Sequence, residues 1–223
     1  MSGVDTFAGI PHRTMAELLA AVSIRGVEGG PSSGRAALEA EFARVALGTM
    51  IEPGDTDAGA LVNALGPAAA LLSIVDELDG REVLGRIGGD ASSARQRARM
   101  TDALTRWRTK GSPESGVRAL EMATHVGARL LTPEATGWPE GLSALGAGQP
   151  LALWLRGDPE RLHALERSVS LVGARAATGY GEHVAMESAA GLGDRGFAIV
   201  SGGGNFHLPK SCCRPFAAAQ AAE

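Results

Sequence analysis

Aromatic residues are scarce in this chain, at 4% of 223 residues, with one Tyr, three Trp and five Phe. A core must then be built from Ala, Leu, Val and Ile, and the length suffices for a sizeable one. Lysine is almost missing: Lys110 and Lys210 stand against an otherwise all-arginine set of cations. The two cysteines, Cys212 and Cys213, are adjacent. They offer neither a disulfide framework nor a zinc spacing, and a reducing cytoplasm is the simplest compartment. No run of 18 apolar residues occurs. The longest, Ala64 to Val75, is broken by Gly66, Pro67 and Ser73, so no membrane span is expected. The N-terminus has Asp5, no basic start and no long apolar run, unlike a secretory signal. The 31 glycines follow no Gly-X-Y period, which excludes collagen.

What is present is the balance of a globular protein: 44% hydrophobic and 21% charged residues, in a length that allows one or two domains. The net charge of −4 hides an asymmetry. Residues 1–80 carry net −7, residues 81–110 net +5, and residues 111–223 net −2. The basic segment holds Arg81, Arg86, Arg95, Arg97, Arg99, Arg106, Arg108 and Lys110. It reads either as a phosphate-binding stripe or as a solvated helix face near a domain junction.

Along the chain, residues 1–34 read as a disordered tail and linker with one possible helix, Thr14 to Val22. The run from Gly29 to Gly34 contains a chance G-x-S-x-G with no strand–turn–helix context. Residues 35–110 read as a small helical domain. Leu38, Phe42, Val45, Ala46 and Thr49 fall at helical spacing, and Pro53-Gly54-Asp55 ends that helix. Asp55-Thr56-Asp57 can cap a helix over Ala58 to Leu65. Gly66-Pro67 then leads into another, Ala68 to Val75, either as an αα-corner or as a helix-hairpin-helix turn. Ser92 or Ser93 can cap a further helix running to about Thr109.

Residues 111–223 read as a partial α/β domain. Gly111-Ser112-Pro113 looks like a linker and Val117 to Val126 like a helix. Apolar runs at Ala128–Leu131, Leu151–Leu155, Val169–Val172 and Phe197–Val200 are expected strands. A helix over Tyr180 to Arg195 joins the last two, which suggests a parallel sheet. The stretch Ser168 to Gly181 then predicts a strand, a glycine turn at Gly173 and a helix N-terminus. Free amides there, with Arg175, Thr178 and Gly181, suit either an anion or a purely structural turn. Ser201 and Gly202 end the second strand on the same side. The glycines at 173, 179 and 181 do not fit G-x-G-x-x-G, and no Lys completes a Walker A loop.

Val172-Gly173-Ala174-Arg175, Tyr180-Gly181, and Gly196-Phe197-Ala198-Ile199-Val200-Ser201-Gly202 together resemble the DNA-processing protein A (DprA/Smf) family. So do Leu131-Thr132, Trp138-Pro139 and Leu142, and the Pro150-Leu151-Ala152-Leu153-Trp154-Leu155-Arg156-Gly157-Asp158 stretch. The helical segment from Arg44 through Pro67 is similar to the family's N-terminal domain, and the likeness spans about residues 40–203. It implies an α/β architecture: a small SAM-like or helix-hairpin-helix-like helical domain, then an incomplete Rossmann-like parallel-sheet domain. It also implies binding and protection of single-stranded DNA, loading of the RecA recombinase during natural transformation, and no catalysis or cofactor; family members self-associate, through a surface expected to be missing from this chain. The DNA or phosphate site it implies comprises Gly173, Arg175, Thr178, Tyr180, Gly181, Ser201 and Gly202.

From about Gly204 to Glu223 the composition breaks from the family pattern, with both cysteines and two of the five Phe. This tail reads as aberrant, as from a frameshift or gene rearrangement, so an impaired or non-functional fragment is an expectation. A nucleotide N-glycosidic hydrolase-like enzyme is the other alternative. Asn205-Phe206 after Gly202-Gly203-Gly204 supplies no acid for it, and the five histidines form no metal spacing. Of the tryptophans, Trp154 reads as core and Trp138 as packing. Trp107, between Arg106 and Arg108, has the neighbours suited to stacking a base.

Overall fold

A computed structural model describes residues 5–24, 34–173 and 178–202. The chain divides into two compact units, one of residues 1–138 with 142–154, the other of residues 139–141 with 155–223. Together they are α/β and helix-rich.

The first unit opens with a two-stranded antiparallel hairpin, β1 (Thr6–Phe7) and β2 (Ile10–Pro11). Its turn residues Ala8 and Gly9 both have positive φ, 48° and 81°, as a type I′ turn requires. Seven α-helices follow among the described residues: α1 (His12–Val22), α2 (Arg35–Met50), α3 (Thr56–Leu65), α4 (Pro67–Val75), α5 (Gly80–Arg86), α6 (Ala94–Lys110) and α7 (Pro113–Val126). Strands β3 (Arg129–Leu131) and β4 (Leu153–Leu155) pair as a second small sheet.

α2 is the hub. Phe42, Ala43, Val45, Ala46, Leu47 and Met50 are all buried, and α1, α4, α6 and α7 pack around them. A helix covered on several sides needs apolar residues beyond one stripe, which explains the near-continuous run from Phe42 to Leu47. α7 comes closest through Gly116, where an added Cβ would lie 3.0 Å from both Ala46 Cα and Cβ. The helix starts follow their side chains. Asp55 caps α3, Ser93 caps α6, and Asp79 with Glu82 forms a capping box on α5. Gly66, at φ 78°, turns α3 into α4 through 115°. With Leu61, Ala70, Leu71 and Ile74 buried on both arms, this is an αα-corner whose inner faces belong to the core.

Three expectations are corrected here. Residues 5–24 are not a tail: Phe7, Ile10, Met15, Leu19 and Val22 would be solvent-facing in one, whereas all are buried in the main core. Met15, Leu19 and Val22 sit at i, i+4 and i+7, a stripe that α2 and α7 cover. The helical unit also runs past residue 110. Gly111-Ser112-Pro113 is a helix start rather than a linker, since Ser112 caps and Pro113 occupies the first turn of α7. Trp107 is no base-stacking platform: it is 2% exposed, and its indole N–H donates to Asp55 Oδ2 at 3.1 Å.

In the second unit, β5 (Ser168–Ser170) leads to α8 (Gly179–Asp194) and then β6 (Ala198–Val200). The strands are parallel, with Ser168 opposite Ala198, Val169 opposite Ile199 and Ser170 opposite Val200. Leu171 N–H extends the ladder to Val200 O at 2.8 Å. α8 stops at a reversal in which the Gly196 and Phe197 amides bond back to Gly193 and Leu192 carbonyls. Ala189 is buried, while Val169, Leu171, Phe197, Ile199 and Val200 are half-buried. Among the described residues this sheet has two strands.

Candidate nucleic-acid interface

A helix that follows one parallel strand and precedes the next begins at the carboxyl ends of both. The second unit therefore gathers the end of β5, the start of α8 and the end of β6 on one side. Gly173 is exposed just beyond β5, and Ser201 and Gly202 follow β6 directly. Ser201 is half-buried, and its hydroxyl faces Gly202 O at 3.4 Å.

Thr178 is the N-cap of α8. Its Oγ1 accepts from the Gly181 amide at 3.2 Å, and its carbonyl accepts from the Glu182 amide at 3.0 Å. Thr178 thus shapes the helix start, and the Gly181 amide is already engaged. The Gly179 and Tyr180 amides, ahead of the first helical bond, have no partner among the described residues. Such amides and the helix dipole make the α8 start electropositive; Glu182, in the first turn, partly offsets that. Arg175 lies outside the described residues, as do Cys212 and Cys213.

Tyr180 is 79% exposed and Val172, just after β5, is 88% exposed. Val184, one turn beyond Tyr180, is exposed as well. Tyr180 and Val184 share a helix face at i, i+4 spacing, so an aromatic and an aliphatic side chain stand together in solvent. Reading the residues one at a time misses Val172 and Val184; the i, i+4 pairing with Tyr180 is the signal that finds the second. His183, on the same helix, lies 3.4 Å from Glu187 Oε1 and is exposed. Among the described residues no three His, Cys, Asp or Glu side chains converge to hold a metal ion.

Five of the eight basic side chains of residues 81–110 make contacts within the helical unit. Arg99 pairs with Asp57 at 2.8 Å, Arg106 reaches Asp55 at 3.5 Å, and Lys110 pairs with Glu52. Arg108 donates to the carbonyls of Ile74 and Leu78 at 2.9 and 2.7 Å, tying α6 to the end of α4. Arg97 donates to Ala91 and Ser92 carbonyls. Arg99, Arg106 and Lys110 thus answer acids of residues 1–80 across the helix packing. These pairs fit the alternative of a solvated helix face. Trp154, expected in the core, is instead exposed, at 38%. Its strand is three residues long and alternates, which turns this side chain outward between two half-buried leucines.

A cavity of about 130 Å³ in the helical unit is lined by Arg44, Gly59, Asn63 and Leu151. Arg44 is buried, pairs with Glu134 and donates to Leu151 O at 3.3 Å. Glu134 offsets the Arg44 charge here.

Residues 129–205 match the family model of the DNA recombination-mediator protein A. Over 167 residues the chain is 32% identical to proteins called DNA processing protein DprA in two strains of Mycobacterium tuberculosis, CDC 1551 / Oshkosh and ATCC 25618 / H37Rv. Each comparison covers 70% of this chain, and the chain spans 38% of the length of each of these relatives. No solved structure matches the chain.

Proposed function

Because this chain belongs to the DNA recombination-mediator protein A family, we propose that its β5–α8–β6 unit binds the phosphate backbone of single-stranded DNA. The observation that carries this reading is the meeting of two parallel strand ends with the N-terminus of α8. The unit is read as part of a Rossmann-like sheet, whose ligands sit at the carboxyl ends of strands. The Gly179 and Tyr180 amides are suited to donate to a phosphate oxygen, and Arg175, which precedes them in sequence, would add a bidentate cation. Gly173 and Ser201-Gly202 border the site. Thr178 holds the α8 start in place, and the exposed Tyr180 ring supplies a face on which a base can stack.

These groups recognise backbone and ring faces rather than base edges, so binding is sequence-tolerant and salt-sensitive. The chemistry is binding without bond-making. The role proposed for the protein is to hold and protect single-stranded DNA taken up in natural transformation and to pass it to the RecA recombinase, in the cytoplasm. Fluorescence anisotropy with labelled oligo-dT tests the first step. Binding that weakens steeply with salt and weakens further in Arg175→Ala supports it; binding indifferent to both refutes it.

A further inference from the structure

The first residue of α1 sits in a network that only one of its protonation states can satisfy. His12 Nδ1 lies 2.9 Å from the Asp5 carbonyl oxygen, and Nε2 lies 2.7 Å from Glu39 Oε1. Both partners are acceptors. A neutral imidazole has a single N–H and can serve one of them, whereas the imidazolium serves both. The ring is 12% exposed, so water does not readily replace a lost bond.

The surrounding charges fit a cation. Arg35 on α2 donates to Asp5 Oδ2 at 2.6 Å and to Glu39 Oε1 at 2.9 Å. Two carboxylates, Asp5 and Glu39, thus face two cations, Arg35 and His12, and a neutral His12 leaves the set one negative charge in excess. On its own helix Arg13 pairs with Glu17, both well exposed. Among the described residues α7 adds no charged group to this set. Burial and, after it, the Arg35 charge oppose the imidazolium. The bonds to Asp5 and Glu39 outweigh them and raise the His12 pKa above its ordinary value, the Asp5 carbonyl contributing most.

We propose that His12 is a proton-operated clasp: as the imidazolium it fastens the N-terminal hairpin to α2, and on losing its proton it lets the hairpin open. The hairpin has two residues per strand and cannot hold itself together alone. It carries Phe7 and Ile10 into the core, so opening uncovers apolar surface on the helical unit. A histidine raised in the closed state favours closure fully below its ordinary pKa of about 6.5, and this is lost as pH rises through the closed-state value. The clasp is therefore shut in mildly acidic solution and loosened in alkaline solution. It involves none of the residues placed at the DNA site.

The test uses the full chain. Amide hydrogen exchange at Phe7, Ile10 and His12, corrected for intrinsic rates, is measured from about pH 5.5 to about pH 8.5, and the His12 ring is titrated by NMR. The expected result is a fall in protection by the ratio of the open-state to the closed-state His12 acid dissociation constants, so the two measurements must agree. His12→Gln should abolish the pH dependence. Should that variant fail to fold, Glu39→Gln is expected to move the transition to lower pH. Protection that is flat across the range, a His12 pKa at or below its ordinary value, or an unchanged slope in the variant that folds would overturn the proposal.

Discussion

Asp55 links two helices of the core, α3 and α6, and replacing it with alanine should expose how they depend on one carboxylate. Its Oδ1 accepts from the Asp57 and Ala58 amides at 3.0 and 3.2 Å, capping α3. Its Oδ2 accepts from the buried Trp107 indole at 3.1 Å. Losing the cap costs about 1 kcal/mol. Leaving the indole N–H buried without an acceptor adds about 1–3 kcal/mol. Asp55→Ala is therefore expected to lose about 2–4 kcal/mol, and Asp55→Asn, which can still cap but presents an amide nitrogen to Trp107, less. Urea unfolding at neutral pH, followed by circular dichroism, measures both. A double-mutant cycle isolates the second part. In a Trp107→Phe background the N–H is gone, so Asp55→Ala should then cost only the cap. A loss below about 0.5 kcal/mol in the single variant would refute the reasoning, as would strict additivity in the cycle.

Other consequences follow from local geometry. Gly116→Ala puts a methyl group 3.0 Å from Ala46 at the α2–α7 crossing, and thermal unfolding should show a loss of roughly 1–3 kcal/mol. Burial raises the pKa of Glu41, the Glu134 charge adds to this, and the Ser23 hydroxyl opposes it. A carboxyl raised by folding gives up stability as pH rises through its folded-state pKa, so Glu41→Gln should melt above the wild type at neutral pH. That advantage should vanish below the ordinary glutamate pKa of about 4.3, as paired melts will show. Thr178→Ala removes the α8 cap, and hydrogen exchange in the first turn of α8 should quicken by about fivefold, the equivalent of about 1 kcal/mol.

The elements that sequence makes legible are those with a strong local signal. α2, α3, α4 and α6 follow apolar spacing and side-chain caps at Asp55 and Ser93, and each is found within a few residues of its expected span. The parallel pairing of β5 with β6 across α8 is legible too, since buried strands joined by a helix leave few alternatives. The β1–β2 hairpin is not. Its strands are too short to show alternation, and Ala8-Gly9 is a weak form of the I′ signature. α5 is seven residues long and has no clear period, so its capping box is the better marker. The partners of the arginines are hidden for a different reason: Asp57 and Arg99 are 42 positions apart, and helix packing alone brings them together. Trp107 illustrates the same limit, because flanking arginines suggest a solvent-facing ring while the buried Asp55 contact comes from 52 residues away.

The most direct test of the proposed DNA site is anisotropy of the full chain with labelled oligo-dT across a salt series, beside Arg175→Ala. The account predicts affinity that falls steeply as salt rises, a weaker Arg175→Ala variant, and a shallower salt slope for that variant by about one charge. A folded wild-type protein that binds no single-stranded DNA at low salt, or an Arg175→Ala variant with unchanged affinity and slope, would contradict it.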